Sequence, residues 1–362
     1  MGDPAEEWSL MLRQGLAVVS LVGIIGVLMV TGLCRQACGQ VAPPPLPEGP
    51  GLAAKFPGDA GLADDPAVAL VEDFEAPSLA EVTGRWEQVQ GTMGLADDVP
   101  AGSAGRHSLQ MTHAGGQGSG CTLYRRLPQG YDRLFYRFYV KFDADCWPIH
   151  HFFHVGGYNP PTAWAQGGAG ERPRGDERIT VGVEPFGPAW IWNYYAYWME
   201  MRGSPPRGQT WGNCFTSDAQ PKAERGQWTC LELMIKLNQP ATAHNGEIAL
   251  WKDGKLVSHL GPGYPHGKWT FDRFLIGQGG EGIRWNDQKG DRETFDVAAG
   301  GEPFEGFRWR SSEDLKLNFL WVLFYITTAP EGHVSRVWFD HTVAATEYIG
   351  PLAPATVPGQ GG

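Results

Sequence analysis

With 362 residues the chain is long enough for one large domain or two modest ones. Its net charge of −11, with 19% charged residues, argues against a nucleic-acid binder, which would show a basic patch. Its 50 Gly and 15 Trp point to the Gly-rich turns and aromatic packing of a β-sandwich.

Gly15 to Leu33 is an uncharged apolar run between Arg13 and Arg35, the pattern of a secretory signal. The run is also just long enough to span a bilayer as a helix. Residues 1–42 therefore read as a signal peptide or an uncleaved N-terminal anchor, with Gly39 and Ala42 as cleavage points. Asp3, Glu6 and Glu7 suit a signal's basic beginning poorly, and a start at Met11 gives an ordinary one. Leu33 and Arg35 spoil Cys34 and Cys38 as lipid-attachment sites. The expected location is extracellular or periplasmic, with the membrane as a partner only if the segment stays uncleaved. Residues 43–67, rich in Pro, Gly and Ala, read as a flexible linker, and 351–362 as a flexible tail.

Strand signals fill residues 68–350. Val68–Phe74, Ser108–Thr112 and Cys121–Leu127 come first. In Arg133–Phe142, Tyr136, Phe138, Val140 and Phe142 face one way, and Arg137, Tyr139 and Lys141 the other. Arg178–Glu184 puts Ile179, Val181 and Val183 inside, with Arg178, Thr180 and Glu184 outside. The dense aromatic run Trp190–Trp198 reads as a strand with alternate residues on opposite faces, one buried and one fit to stack on sugars. Cys230–Asn238 alternates Leu231, Leu233, Ile235 and Leu237 against Glu232, Met234 and Lys236. Asp253-Gly254 inside Glu247–Val257 is a hairpin signal, because a type I′ turn needs positive φ. Leu315–Thr328 and Val334–Ile349 complete the set, and no long amphipathic helix interrupts it. The fold class is all-β, two packed antiparallel sheets. Outside the export segment stand Cys121, Cys146, Cys214 and Cys230, an even number that permits two disulfides. None has the CxxC spacing of a zinc site.

Gly226-Gln227-Trp228, Leu237-Asn238, Asn245-Gly246-Glu247 and Leu250-Trp251-Lys252-Asp253-Gly254-Lys255 form an ordered series. It resembles the run found in concanavalin A-like jelly-roll polysaccharide lyases of the alginate- and glucuronan-lyase type. Glu72-Asp73-Phe74-Glu75 and Trp338-Phe339-Asp340 are similar to the first and last strands of such sandwiches. The resemblance implies a jelly roll with a groove for an extended polysaccharide or glycan. It brings no catalytic residue: Asp143 to His154 stand where the family has a Lys- and Gly-rich stretch, and the family's catalytic lysine has no counterpart here.

The outward faces supply Arg137, Tyr139, Lys141, Glu184, Glu232 and Lys236 as candidate substrate contacts. β-Elimination from a uronic-acid polymer needs a group to stabilise the carboxylate, a base and an acid. Arg178 or Arg137 suits the first role, His154 (with Phe152 beside it) the second, and Tyr195 or Tyr197 the third. His150, His151 and His154 could instead be structural or hold a metal, although no matching carboxylate spacing accompanies them. Paired carboxylates for glycoside hydrolysis are not evident, although Glu184 and Glu200 keep that reaction open. No cofactor is required. Asp73 and Asp340 could share a structural calcium ion if the first and last strands pair. The expected function is polyuronate cleavage; the alternatives are a non-catalytic glycan-binding module and an envelope structural module.

Overall fold

The computed structural model describes residues 45–355, apart from 119, 206, 216–220, 277–279, 287–290 and 298–300. For the strands within 280–297 it describes the backbone alone. The apolar run at 15–33 and residues 356–362 lie outside the described residues, among which no helix is long and apolar enough to cross a membrane.

The strands in chain order are β1 (Val68–Glu72), β2 (Gln88–Gln90), β3 (Thr92–Ala96), β4 (Ser108–Ala114), β5 (Gly120–Tyr131) and β6 (Arg133–Phe142). Next come β7 (Phe153–Tyr158), β8 (Arg178–Phe186), β9 (Ile191–Tyr197), β10 (Thr229–Lys236), β11 (Glu247–Lys252) and β12 (Lys255–Leu260). The series ends with β13 (His266–Thr270), β14 (Arg273–Ile276), β15 (Gly280–Asn286), β16 (Asp291–Val297), β17 (Glu302–Pro303), β18 (Leu317–Tyr325) and β19 (Val334–Ala345). One short helix, α1 (Leu79–Thr83), is capped by Ser78, whose hydroxyl accepts the Glu81 amide.

Two antiparallel sheets make a jelly-roll sandwich. The eight-stranded sheet runs β12-β11-β10-β6-β19-β4-β3, with β1 added on β19. The six-stranded sheet runs β2-β5-β18-β7-β8-β9. Period-two alternation sends Phe138, Phe142 and Phe339 of the larger sheet inward against Phe153, Val181 and Trp192 of the smaller. Phe138 and Phe153 stack at 3.9 Å. Phe152 also packs in this core, against Phe142 and Phe339, so it does not face a groove beside His154. Asp253 (φ 50°) and Gly254 (φ 75°) both have the positive φ that a type I′ turn demands between β11 and β12.

The outer face of the larger sheet is covered. Leu52, Ala53 and Leu62, in three 3₁₀ turns between residues 52 and 64, pack with Phe135, Met234, Trp251 and Val343 into a second apolar core. The flexible linker expected at 43–67 is therefore, from residue 45 on, a fitted cover: its sparse apolar residues find a sheet face to bury. Residues 351–355 dock as well, with the Leu352 amide bonded to the Tyr139 hydroxyl and the Ala355 amide to the Gly102 carbonyl.

Contacts with the cover, the C-terminal segment and neighbouring strands and loops engage five of the expected substrate contacts. Arg137 is fully buried and pairs with Asp59 of the covering segment, while its other donors reach the His341 and Gly350 carbonyls. His341 bridges Asp59 (2.8 Å) and Ser103 (2.8 Å), closing a clasp between cover and sheet. Tyr139 holds Leu352, Lys141 pairs with Asp98, and Lys236 pairs with Glu247 at 2.7 Å. Glu232 accepts the Ile349 and Gly350 amides at 2.7 and 2.8 Å. Arg137, Tyr139, Lys141, Glu232 and Lys236 thus serve the wrong sheet for a site at His154. The expected disulfides do not form among the described residues: Cys121, Cys146, Cys214 and Cys230 are all free and buried. Burial pushes the thiols of Cys146, Cys214 and Cys230 up to about 12, away from reactivity.

Glu232 supplies a stability test. Burial pushes its carboxyl from 4.5 up to about 7, against the two amides that favour its charge. A raised folded-state value means that the folded chain holds this proton more tightly than the unfolded chain. The stabilisation is complete below the ordinary carboxylate value and is lost as pH rises through about 7. Between about pH 4 and about pH 8, wild type should lose up to about 3 kcal/mol relative to Glu232→Gln, read from urea unfolding. Parallel pH profiles for the two proteins would contradict this.

Candidate functional site

The outer face of the six-stranded sheet carries a different set of residues. Strand pairing lines up Trp321 of β18, His154 of β7, Gly182 of β8 and Tyr195 of β9. One step along β8, Glu184 stands opposite Asn193, and Thr180 stands opposite Tyr197. His154, Glu184, Tyr195 and Tyr197 therefore share one face, whereas Lys236 lies on the other sheet. His151, just before β7, joins them.

Glu184 is the hub. Its Oε1 accepts from His151 Nδ1 at 2.9 Å and from His154 Nε2 at 3.0 Å. Glu184 and His154 are buried, whereas the His151 side chain keeps 23% of its surface exposed. Burial opposes the Glu184 charge, but the two imidazoles outweigh it and hold the carboxyl down at about 2. Burial lowers His154, which therefore favours its neutral form. His151, His154 and Glu184 offer one donor atom each, all within 4.8 Å of one another, a set able to hold a metal ion. The carboxylate missing from the local His spacing comes from the neighbouring strand.

The tyrosines flank this hub. The Tyr195 ring lies 4.9 Å from the His151 ring, and its hydroxyl is 3.3 Å from that of Tyr197. Burial pushes the Tyr195 phenol well above its ordinary range, so it stays protonated at neutral pH. Gly212 lies flat on the Tyr195 ring, where a Cβ would come within 2.6 Å of it. Next to Gly212 in sequence, Trp211 is 45% exposed, with its ring edge near Gly170. Sequence reasoning missed Trp211, because its placement depends on a loop rather than a strand period.

Arg178 lies on the same face, with its guanidinium 6.0 Å from the Tyr197 ring. Its donors bind the carbonyls of Gly167 (2.7 Å), Gly168 (3.3 Å) and Glu171 (2.5 Å). Gly168 (φ 127°) is needed there, because a Cβ would fall 1.3 Å from Nη1. Arg178 thus anchors a loop over the sheet instead of presenting a free cation. Glu200 is engaged elsewhere, by His244 and Arg308.

Asp340 is buried, with Oδ1 accepting the His341 amide and Oδ2 without a hydrogen bond, 3.8 Å from His341 Nε2. Burial, reinforced by the nearby charges of Glu75, Asp73 and Asp59, pushes it up to about 9. Asp73 is exposed and accepts the Glu75 amide. Among the described residues these two do not belong to a cluster of three or more metal donors.

No family model matches the sequence, and none of the curated proteins matches it. Solved structures resemble it loosely. Alginate lyase vAL-1 from Chlorella virus aligns with a TM-score of 0.46 and 12% identity, over 77% of this chain and 99% of that chain. Alginate lyase Aly36B aligns at 0.41 and 11%, over 83% and 98%. The cellulose induced protein Cip1 aligns at 0.41 and 15%, over 78% and 99%. These are likenesses of fold, and no residue role is taken from them.

Gly182 keeps the site open. A Cβ there would meet the His154 ring at 2.6 Å, so Gly182→Ala must displace His154 from Glu184. The expected cost is about 1–3 kcal/mol in denaturant unfolding, the usual penalty of overpacking. Unchanged stability would show that the imidazole moves freely.

Proposed function

We propose that this protein is an exported carbohydrate-active enzyme that cleaves a uronic-acid-containing polysaccharide by β-elimination. The observation that carries the reading is the meeting of a Tyr195–Tyr197 hydroxyl pair with the His151–His154–Glu184 cluster on the outer face of the six-stranded sheet. Trp211 offers its exposed face to a sugar ring, an arrangement suited to glycan stacking. His151, whose Nδ1 donates to Glu184 and whose side chain is partly exposed, takes the proton beside the uronate carboxylate on its other ring nitrogen, while a phenol of the Tyr195–Tyr197 pair gives its proton to the leaving oxygen; exchange with solvent then resets both groups. His154, expected as the base, is instead a positioning residue, because its Nε2 is engaged and its Nδ1 is buried. The apolar run at 15–33 supports export.

Incubation with polyuronates should generate the ultraviolet absorbance of an unsaturated uronic product. Tyr195→Phe and Tyr197→Phe should each lower that rate by at least about 10²-fold, with the fold retained. Full activity in both variants would contradict the assignment. Tight binding of polyuronate without product would support the glycan-binding alternative, which uses the same Trp211.

Calcium beside Asp340 is a separate proposal, supported by the buried Oδ2 that makes no hydrogen bond. Added calcium is expected to raise the melting temperature by mass action. A melting temperature unmoved by both calcium and chelator would contradict it.

A further inference from the structure

We infer that His151 Nδ1, His154 Nε2 and Glu184 Oε1 form a centre for a divalent transition cation of zinc's kind, open on the side of Tyr195.

The geometry comes first. Two ligands about 2.1 Å from one tetrahedral cation lie about 3.4 Å apart. Glu184 Oε1 lies 2.9 and 3.0 Å from the two nitrogens, and all three atoms lie within 4.8 Å of one another, so movement of the Glu184 carboxylate admits the ion. The three atoms come from β8, β7 and the turn before β7, so strand pairing holds them whether or not the ion is bound.

The donor set selects the metal. Two imidazoles and one carboxylate suit zinc and its first-row neighbours, whereas calcium and magnesium take oxygen ligands. Ligation through His154 Nε2 leaves the ring's proton on Nδ1, the atom that has no protein partner.

Three protein ligands leave a coordination position free, the arrangement of reactive rather than structural zinc sites. Gly182 sends no side chain between the His154 and Tyr195 rings, and His151 reaches the surface. A ligand oxygen can approach from that side. The consequence for catalysis rests on the lyase reading: an ionised Glu184 alone repels a uronate carboxylate, whereas a cation held against it attracts one.

The test uses the full chain, freed of metal by a chelator and titrated calorimetrically with zinc, with bound metal counted by mass spectrometry. One zinc per chain is expected. His151→Ala and Glu184→Gln should each weaken binding at least tenfold while circular dichroism stays unchanged. His151 is partly exposed, so its replacement tests the centre even if the Glu184 variant misfolds. Absence of stoichiometric zinc, or undiminished binding by a folded His151→Ala protein, overturns the centre. Zinc binding without unsaturated product keeps the centre and removes the lyase reading. Unsaturated product from a chain that binds no zinc keeps the lyase and overturns the centre.

Discussion

The buried contact of Arg137 with Asp59, closed by His341, determines which surface of this sandwich can work. It fastens the segment before β1 across the outer face of the eight-stranded sheet, where a guanidinium stands with no exposed surface. Breaking such a pair by removing one partner leaves a buried charge and costs about 3–5 kcal/mol. A two-sheet sandwich begins with two outer faces. With one sealed by apolar residues and a clasp of charges, the six-stranded sheet, itself covered over Tyr124, Tyr158 and Phe319, presents the partly exposed His151 and Tyr195 to a ligand.

On that face, function is assembled by register. His154, Gly182 and Tyr195 stand side by side on three adjacent strands, and Glu184 lies two residues beyond Gly182 on β8. A one-residue slip of β8 would turn Glu184 into the core. The glycine gives the imidazole room to reach Glu184, and loops pinned by Arg178 and Gly212 bring further groups over the sheet.

Period-two patterns made most of the fold legible. They assigned the inward faces of β6, β8 and β10 correctly, along with the alternation of β9 and the Asp253-Gly254 turn. Alternation says which residues share a face of one strand. It does not say which sheet a strand joins, and so Arg137 and Lys236 were grouped with His154. The Glu184 contact with two histidines was hidden because it depends on β7 pairing with β8 across about 20 intervening residues. The N-terminal cover misled by composition: Leu52, Phe56 and Leu62 are few among Pro, Gly and Ala, but they are spaced to fit a sheet already built. Cysteine number permitted disulfides, yet each thiol is buried and unpaired.

Hydrogen exchange of the protein with and without a polyuronate oligosaccharide tests the central claim most directly. Protection is expected at His151–His154, in β8 and β9, and in the loop holding Trp211, with β6 and β10 unchanged. Protection confined to β6, β10 and the covering segment would place the ligand on the other sheet and contradict the account.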